Sequence, residues 1–278
     1  MLESPDRREF LVRAAAVIPL MHLGGMSPAP PAPPHPGSSA RTAHMQRARF
    51  ARLRLRCADT EELLRFYRDT LELTVERAAN DAIEVRFGET VIEFTKSDDG
   101  SQPYYHFALN IPHNTLDTAV IWMRHRCPLV QRADGSVIFH FESWNAHAIY
   151  FIDPAGNIVE FIARHTLSSD PRYVGTPTWF DSSHMLCASE IGVVAPDVAS
   201  AAAKLKTGLD LPTYHGSSEE FHAVGDEHGL FIVVKTGRRW FSSDRAAEVF
   251  PAEAVVRSDT PPTEPLELAG SMFRVSRR

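Results

Sequence analysis

Glu160 lies in a stretch that is otherwise apolar, residues 148–161, AIYFIDPAGNIVEF. Two runs rich in β-branched and aromatic residues flank Asp153-Pro154-Ala155-Gly156-Asn157, a pattern that predicts strand, tight turn, strand. Side chains alternate across a strand, so Glu160 shares a face with Ile158 and Ile162 and opposes Val159 and Phe161. A carboxylate on such a face is costly to bury unless a metal, a cation or hydrogen-bond donors compensate it. The nearest apolar strand with an ionisable group of its own is Tyr105-His106-Phe107-Ala108-Leu109, which makes His106 and Glu160 the first pair that could do chemistry. Glu93, in Val91-Ile92-Glu93-Phe94-Thr95, repeats the signature.

Arg52, Arg54 and Arg56 are a third group. Strict alternation sets them on one face of a strand, with Leu53, Leu55 and Cys57 on the other. The row reads either as a solvated face, with Arg52 paired to Glu93, or as the electropositive floor of a cleft that receives a carboxylate or phosphate, for which arginine's planar fork is suited.

The elements that must position these groups recur in one order. After the arginine strand, Asp59 or Thr60 can cap a helix over residues 61–71, and strands follow at 74–77, 82–87 and 91–95, giving βαβββ. The order returns with a strand at 106–111, a helix near 115–126, a strand around 137–141 and the hairpin. It returns again with a strand at 190–194, a helix near 198–207, and strands at 219–224 and 230–235. Counted from the turn aspartate, Val233 takes the place of Glu160 in this third unit, while Glu190 occupies its first strand. The tail has strand-like runs at 254–257 and 272–275 and reads as an eroded fourth unit that completes the sheet of the third and covers an edge. Arg238-Arg239-Trp240-Phe241 reads as a packing or rim element.

With 278 residues, 44% hydrophobic and 23% charged, the chain can build one large or two small cores. A formal net charge of −6 argues against a nucleic-acid partner, and no apolar run is long enough to span a bilayer. Cys57, Cys127 and Cys187 are widely spaced and form no CxxC pair, so they argue for neither a disulfide framework nor a zinc knuckle. Near the start, Arg7-Arg8, then Phe10-Leu11, Arg13 and a short apolar run over 14–26 resemble a twin-arginine export signal. A proline-dominated linker follows over 27–39. The expected divisions are a signal and linker over 1–45, paired βαβββ modules over 46–165, a connector over 166–187, and a third module with the eroded fourth over 188–278. The expected location is periplasmic or extracellular.

The segments YYHFALNIP, AIYFIDPAGNIVEF, VIEFT and RLRLRCADTEELLRFYRDTLEL resemble the vicinal oxygen chelate superfamily, which includes glyoxalase I, extradiol dioxygenases and fosfomycin- and bleomycin-resistance proteins. The resemblance implies an α+β fold in which the first two βαβββ modules pair into a curved sheet around a cleft, with metal ligands on the first and last strand of each. Those positions here are Arg52, Glu93, His106 and Glu160. Arginine has no lone pair to donate, so the implied ligand set is Glu93, His106 and Glu160 around a divalent iron, manganese, nickel or zinc. Glu160 or Glu93 would move a proton, and Arg52, Arg54 and Tyr150 would contact substrate. Two alternatives stay open. Modules two and three could share the cleft instead, giving His106, Glu160 and Glu190; or Arg52 could pair with Glu93 while His106 hydrogen-bonds Glu160 and no metal binds.

The function expected from this is an exported, metal-dependent enzyme of lyase, isomerase or dioxygenase type that chelates two adjacent oxygens of a small molecule. The competing expectation is a non-catalytic protein of the same fold that sequesters an anionic ligand on Arg52, Arg54 and Arg56 without metal. The expected partners are a small-molecule substrate, the twin-arginine export machinery and a second copy of the chain in a homodimer. His140, Trp144, Asn145 and His147, just before the hairpin, form a second tier of candidates at the cleft's rim.

Overall fold

The first strand of each βαβββ unit decides the architecture, because one of its edges is taken within the unit and the other is left to pair outward. The computed structural model describes residues 48–167, 175, 178–241, 243–257 and 264–278; the expected leader and proline-rich linker over 1–45 lie outside these. The first unit comprises β1 (Arg49–Cys57), α1 (Thr60–Arg65), β2 (Val75–Ala78), β3 (Ala82–Phe87) and β4 (Thr90–Lys96). The second comprises β5 (His106–Ile111), α2 (Leu116–Arg124), β6 (Phe139–Phe141), β7 (Ala146–Ile152) and β8 (Ile158–Arg164). The third comprises β9 (Cys187–Ala195), α3 (Val198–Leu209), β10 (Thr213–Ser218), β11 (Phe221–Asp226) and β12 (Gly229–Lys235). The tail adds β13 (Ala252–Arg257), β14 (Leu266–Leu268) and β15 (Phe273–Arg277).

Seven strands form one sheet, in the order β14-β15-β13-β1-β4-β3-β2, and eight form the other, β10-β11-β12-β9-β5-β8-β7-β6. The expected α+β fold of tandem βαβββ modules is present. The expected partnership is corrected: the first module shares its sheet with the C-terminal strands, and the second shares its sheet with the third. The eroded fourth unit therefore completes the sheet of the first module, not of the third. The outward edge of β1 is taken by β13 and that of β5 by β9. Antiparallel pairing of β1 with β13 sets Arg54 opposite Glu253, and the two side chains meet at 2.9 Å.

The sheets pack back to back. Leu53, Leu55, Ile92 and Phe94 of one share a buried cluster with Phe107, Leu109, Val159 and Phe161 of the other. α1 starts where Asp59 accepts hydrogen bonds from the backbone N–H of Glu61 and Glu62, at 2.7 and 3.2 Å. It runs on into a π-helical turn over Phe66–Thr70 that delivers Tyr67 to the core, stacked on Phe94. On its far face the eight-stranded sheet carries a second buried cluster, including Ala108, Tyr150, Ile162, Ile232 and Trp240. No helix among the described residues is long and apolar enough to cross a membrane.

Candidate metal centre

His106 opens β5, and its register partner on β8 is Ile158. Its Nδ1 lies 3.1 Å from the Ile158 carbonyl oxygen. A carbonyl can only accept, so Nδ1 carries the proton and the Nε2 lone pair is left for another partner. Nε2 lies 3.6 Å from Glu160 Oε2 and 3.7 Å from Glu190 Oε2, and both carboxylate side chains are 0% exposed. The three residues come from adjacent strands. In register, Ala108 of β5 stands opposite Glu160 on one side and Glu190 on the other, so a methyl group separates the two acids.

One donor atom from each residue lies within 4.8 Å of the others. Bonds of ~2.1 Å to a single ion place its donors about 3–4 Å apart, so one imidazole and two carboxylates at this spacing fit a divalent metal. Glu190 is oriented from behind by Arg164, a fully buried guanidinium whose Nη2 donates to Glu190 Oε1 and whose Nε donates to Asn110 Oδ1 at 3.2 Å. Burying carboxylates costs several kcal/mol each unless cations or donors compensate. Arg164 contributes to that for Glu190, and an ion held by His106 Nε2 would add to it for both acids.

The hairpin turn fixes this geometry from below. Asp153 Oδ1 accepts from Asn157 N–H at 2.9 Å, and its Oδ2 accepts from Asn157 Nδ2 at 2.8 Å and from the Tyr67 hydroxyl at 2.6 Å. Asn157 Oδ1 in turn accepts the Tyr105 N–H at 2.8 Å. The turn thus holds both the residue preceding His106 and the start of the strand that carries Glu160. Burial pushes the Asp153 carboxyl above its usual range, against the pull of the Tyr67 and Asn157 hydrogen bonds.

A cavity of about 30 Å³, room for a water or two, opens beside His106. Tyr150, the register partner of Glu160, lines it together with Ile232, Arg238, Trp240 and Phe241. Arg238, Arg239, Trp240, Phe241 and Ala247 form its lid. Trp240 lies over β9 at Gly192, where a Cβ would come within 2.5 Å of Trp240 Cη2. Arg245 anchors the lid, donating to the Gly156 carbonyl at 3.0 Å and stacking 3.5 Å over the Tyr104 ring.

Of the residues singled out in the sequence, the structure brings His106, Glu160 and Tyr150 together. It does not bring Glu93, Arg52 or Arg54 to them. Those three lie on the seven-stranded sheet, where Arg52 bonds Glu84 at 2.6 Å and Glu93 at 2.7 Å and Arg54 lies 3.4 Å from Glu93. The Arg52–Glu93 ion pair is the one that the solvated-face reading contains. These arginines are matched by carboxylates and form no bare anion-binding floor. Glu190 stands in the third-ligand place instead of Glu93, as the alternative pairing of modules requires. Ile232, not Val233, faces the cavity from the last strand of the third module, since Val233 points into the inter-sheet core. Trp144 is buried on the cavity side, whereas His140 and His147 have the opposite strand parity. The rim element at 238–241 is part of the lid, which alternation alone does not reveal.

No protein-family model matches the chain, and no curated protein is similar to it in sequence. Solved structures are. A protein from Bacillus subtilis subsp. subtilis str. 168 to which dioxygenase activity is ascribed superposes with a TM-score of 0.55 at 12% identity, over 84% of this chain and 86% of that one. A variant of glyoxalase I from Zea mays gives 0.52 at 10% identity, over 84% and 92% of the two chains. Glyoxalase I from Zea mays itself gives 0.50 at 11% identity, over 84% and 92%. At such identities the likeness speaks for the fold, and together with the βαβββ units and the DPAGN hairpin it shows that this chain has the vicinal oxygen chelate fold of glyoxalases and dioxygenases.

Proposed function

We propose that the protein is a metal-dependent enzyme of the glyoxalase/dioxygenase type, acting on a small oxygen-rich molecule at the His106 face of the eight-stranded sheet. The observation that carries this is His106 Nε2 lying within 3.7 Å of two fully buried carboxylates, Glu160 and Glu190. His106, Glu160 and Glu190 would hold the ion, which when bound supplies Lewis-acid polarisation of a substrate oxygen. Tyr150 would orient that oxygen, and Glu160 would take a proton from the neighbouring carbon. Trp240 and Phe241 would narrow the access of solvent to the site.

One imidazole with two carboxylates is the inverse of the two-histidine, one-carboxylate set of non-haem iron oxygenases. That donor balance favours isomerase or lyase chemistry by proton transfer over oxygen activation. Metal analysis of the protein purified without added metal tests the reading. At least one equivalent per chain of iron, manganese, nickel or zinc is expected, of which His106→Ala loses one; less than a tenth of an equivalent in the wild type would favour a metal-free binding protein. Export by the twin-arginine route is proposed from the Arg7-Arg8 segment alone, and a processed N-terminus that depends on the twin-arginine machinery would support it.

A further inference from the structure

On the face of the eight-stranded sheet opposite the cavity, four histidines stand in one row. His140 of β6 pairs in register with His147 of β7. His147 pairs with Ala163 of β8, which also pairs with Ile111 of β5. His165 and His113, each two residues beyond that last pair, continue the row. The rings touch in sequence. His140 and His147 stack at 4.4 Å with 7° between planes, His147 and His165 meet at 5.0 Å, and His165 and His113 lie 6.0 Å apart. His147 Nδ1 and His165 Nε2 are 2.8 Å from one another. His140 and His165 are exposed, and His113 and His147 half-buried, so solvent reaches the row.

We propose that this row is a second, solvent-accessible metal site, taking a divalent transition ion of the zinc, nickel or copper class on His147 Nδ1 and His165 Nε2, with His113 and His140 flanking. Imidazole nitrogens are the donors these ions prefer. Two of them face each other at 2.8 Å in a hydrogen bond to which one ring gives its N–H, and the exposed His165 ring has to move outward and release that proton for both nitrogens to reach the spacing of neighbouring ligands on one ion. Burial and the neighbouring imidazoles hold His147 and His165 below the ordinary histidine value, so both are neutral at pH 7, as ligation requires. A simple hydrogen-bonded pair would account for two of these rings; the register partner His140 on one side and His113 on the other, just past the ends of β8 and β5, bring two further imidazoles beside it. The site is independent of the buried trio, because His147 shares parity with Ile149 and Phe151 and faces away from Tyr150.

The test is calorimetric titration of the metal-free full-length chain with Zn²⁺ in four forms: wild type, His106→Ala, the double variant His147→Ala/His165→Ala, and all three changes together. The double variant is expected to lose one equivalent, or to weaken it at least tenfold, relative to wild type. The same loss is expected between the triple variant and His106→Ala, whatever the buried trio does. Identical stoichiometry and affinity with and without the two surface histidines would overturn the proposal. Because both positions reach solvent, unchanged circular dichroism is expected, and four-nitrogen or two-nitrogen hyperfine structure in the Cu²⁺ electron paramagnetic resonance spectrum of His106→Ala gives a second readout.

Discussion

His106 Nδ1 lies 3.1 Å from the carbonyl oxygen of Ile158, its register partner across β5 and β8. That contact commits the imidazole to one tautomer and presents Nε2 to the two buried acids before any ion arrives. His106→Ala and Glu190→Gln should each reduce retained metal at the buried trio to below a tenth of the wild-type amount, while Glu93→Gln leaves it unchanged. Elemental analysis after gel filtration decides the matter, carried out in the His147→Ala/His165→Ala background so that the surface row does not contribute. Equal losses in Glu93→Gln and Glu190→Gln would mean that the trio is not the ligand set.

Ala108 gives a sharper test, since it touches the geometry and leaves every donor in place. It is fully buried and stands in register between Glu160 and Glu190. Ala108→Leu would fill the space between the acids. The expected outcome is loss of retained metal with the fold kept, at a cost of about 1–3 kcal/mol for overpacking. Urea unfolding followed beside elemental analysis reads both quantities. Metal retention at the wild-type level would show that the ion sits elsewhere.

The DPAGN turn carries its motif for structural reasons that bear on the site. Asn157 is fully buried and satisfies Asp153, the Tyr105 N–H and the turn at once. Asn157→Ala leaves the Tyr105 N–H and part of the Asp153 carboxyl without these partners, and should cost about 2–3 kcal/mol. Tyr67→Phe removes one hydrogen bond to Asp153 and should cost less, about 1–2 kcal/mol. Urea midpoints rank the two, and a larger loss in Tyr67→Phe would contradict the assignment of Asn157 as the main tie.

Much of this fold is legible from alternation. The strands at Ala82–Phe87 and His106–Ile111 fall where the apolar pattern puts them, and Asp59 caps α1 as its residue type suggests. Partnership between modules is not legible in the same way. Alternation tells which face a residue occupies; it does not tell which strand lies next to it. The edge of β1 is taken by β13, where Arg54 meets Glu253, residues nearly two hundred positions apart. Glu190 bears the same mark as Glu160, an acid in an apolar strand, yet its membership of the site depends on that pairing. The edge strands β10 and β14 pass unannounced because each has little apolar periodicity in its sequence. The four histidines are visible singly in the sequence, but they become a row only through the registers of β5 to β8.

The charge lattice on the seven-stranded sheet makes a prediction of known sign. Arg52 holds the Glu84 carboxyl below the ordinary glutamate range, chiefly through their hydrogen bond, and Glu84 raises the Arg52 guanidinium in return. A carboxyl lowered in the folded state binds fewer protons there than in the unfolded chain across the window between the two values. Its stabilisation is therefore complete above the unfolded value, about 4.3, and fades as pH falls through the lower, folded value. The pair is partly exposed, so solvent screening limits its contribution to about 0.5–1 kcal/mol. Glu84→Gln should lower the unfolding free energy from urea titration by that amount at pH 6 and by progressively less below pH 4, so that the two stability curves converge in acid. A constant gap from pH 6 to pH 3 would mean that Glu84 contributes through packing and not through its charge.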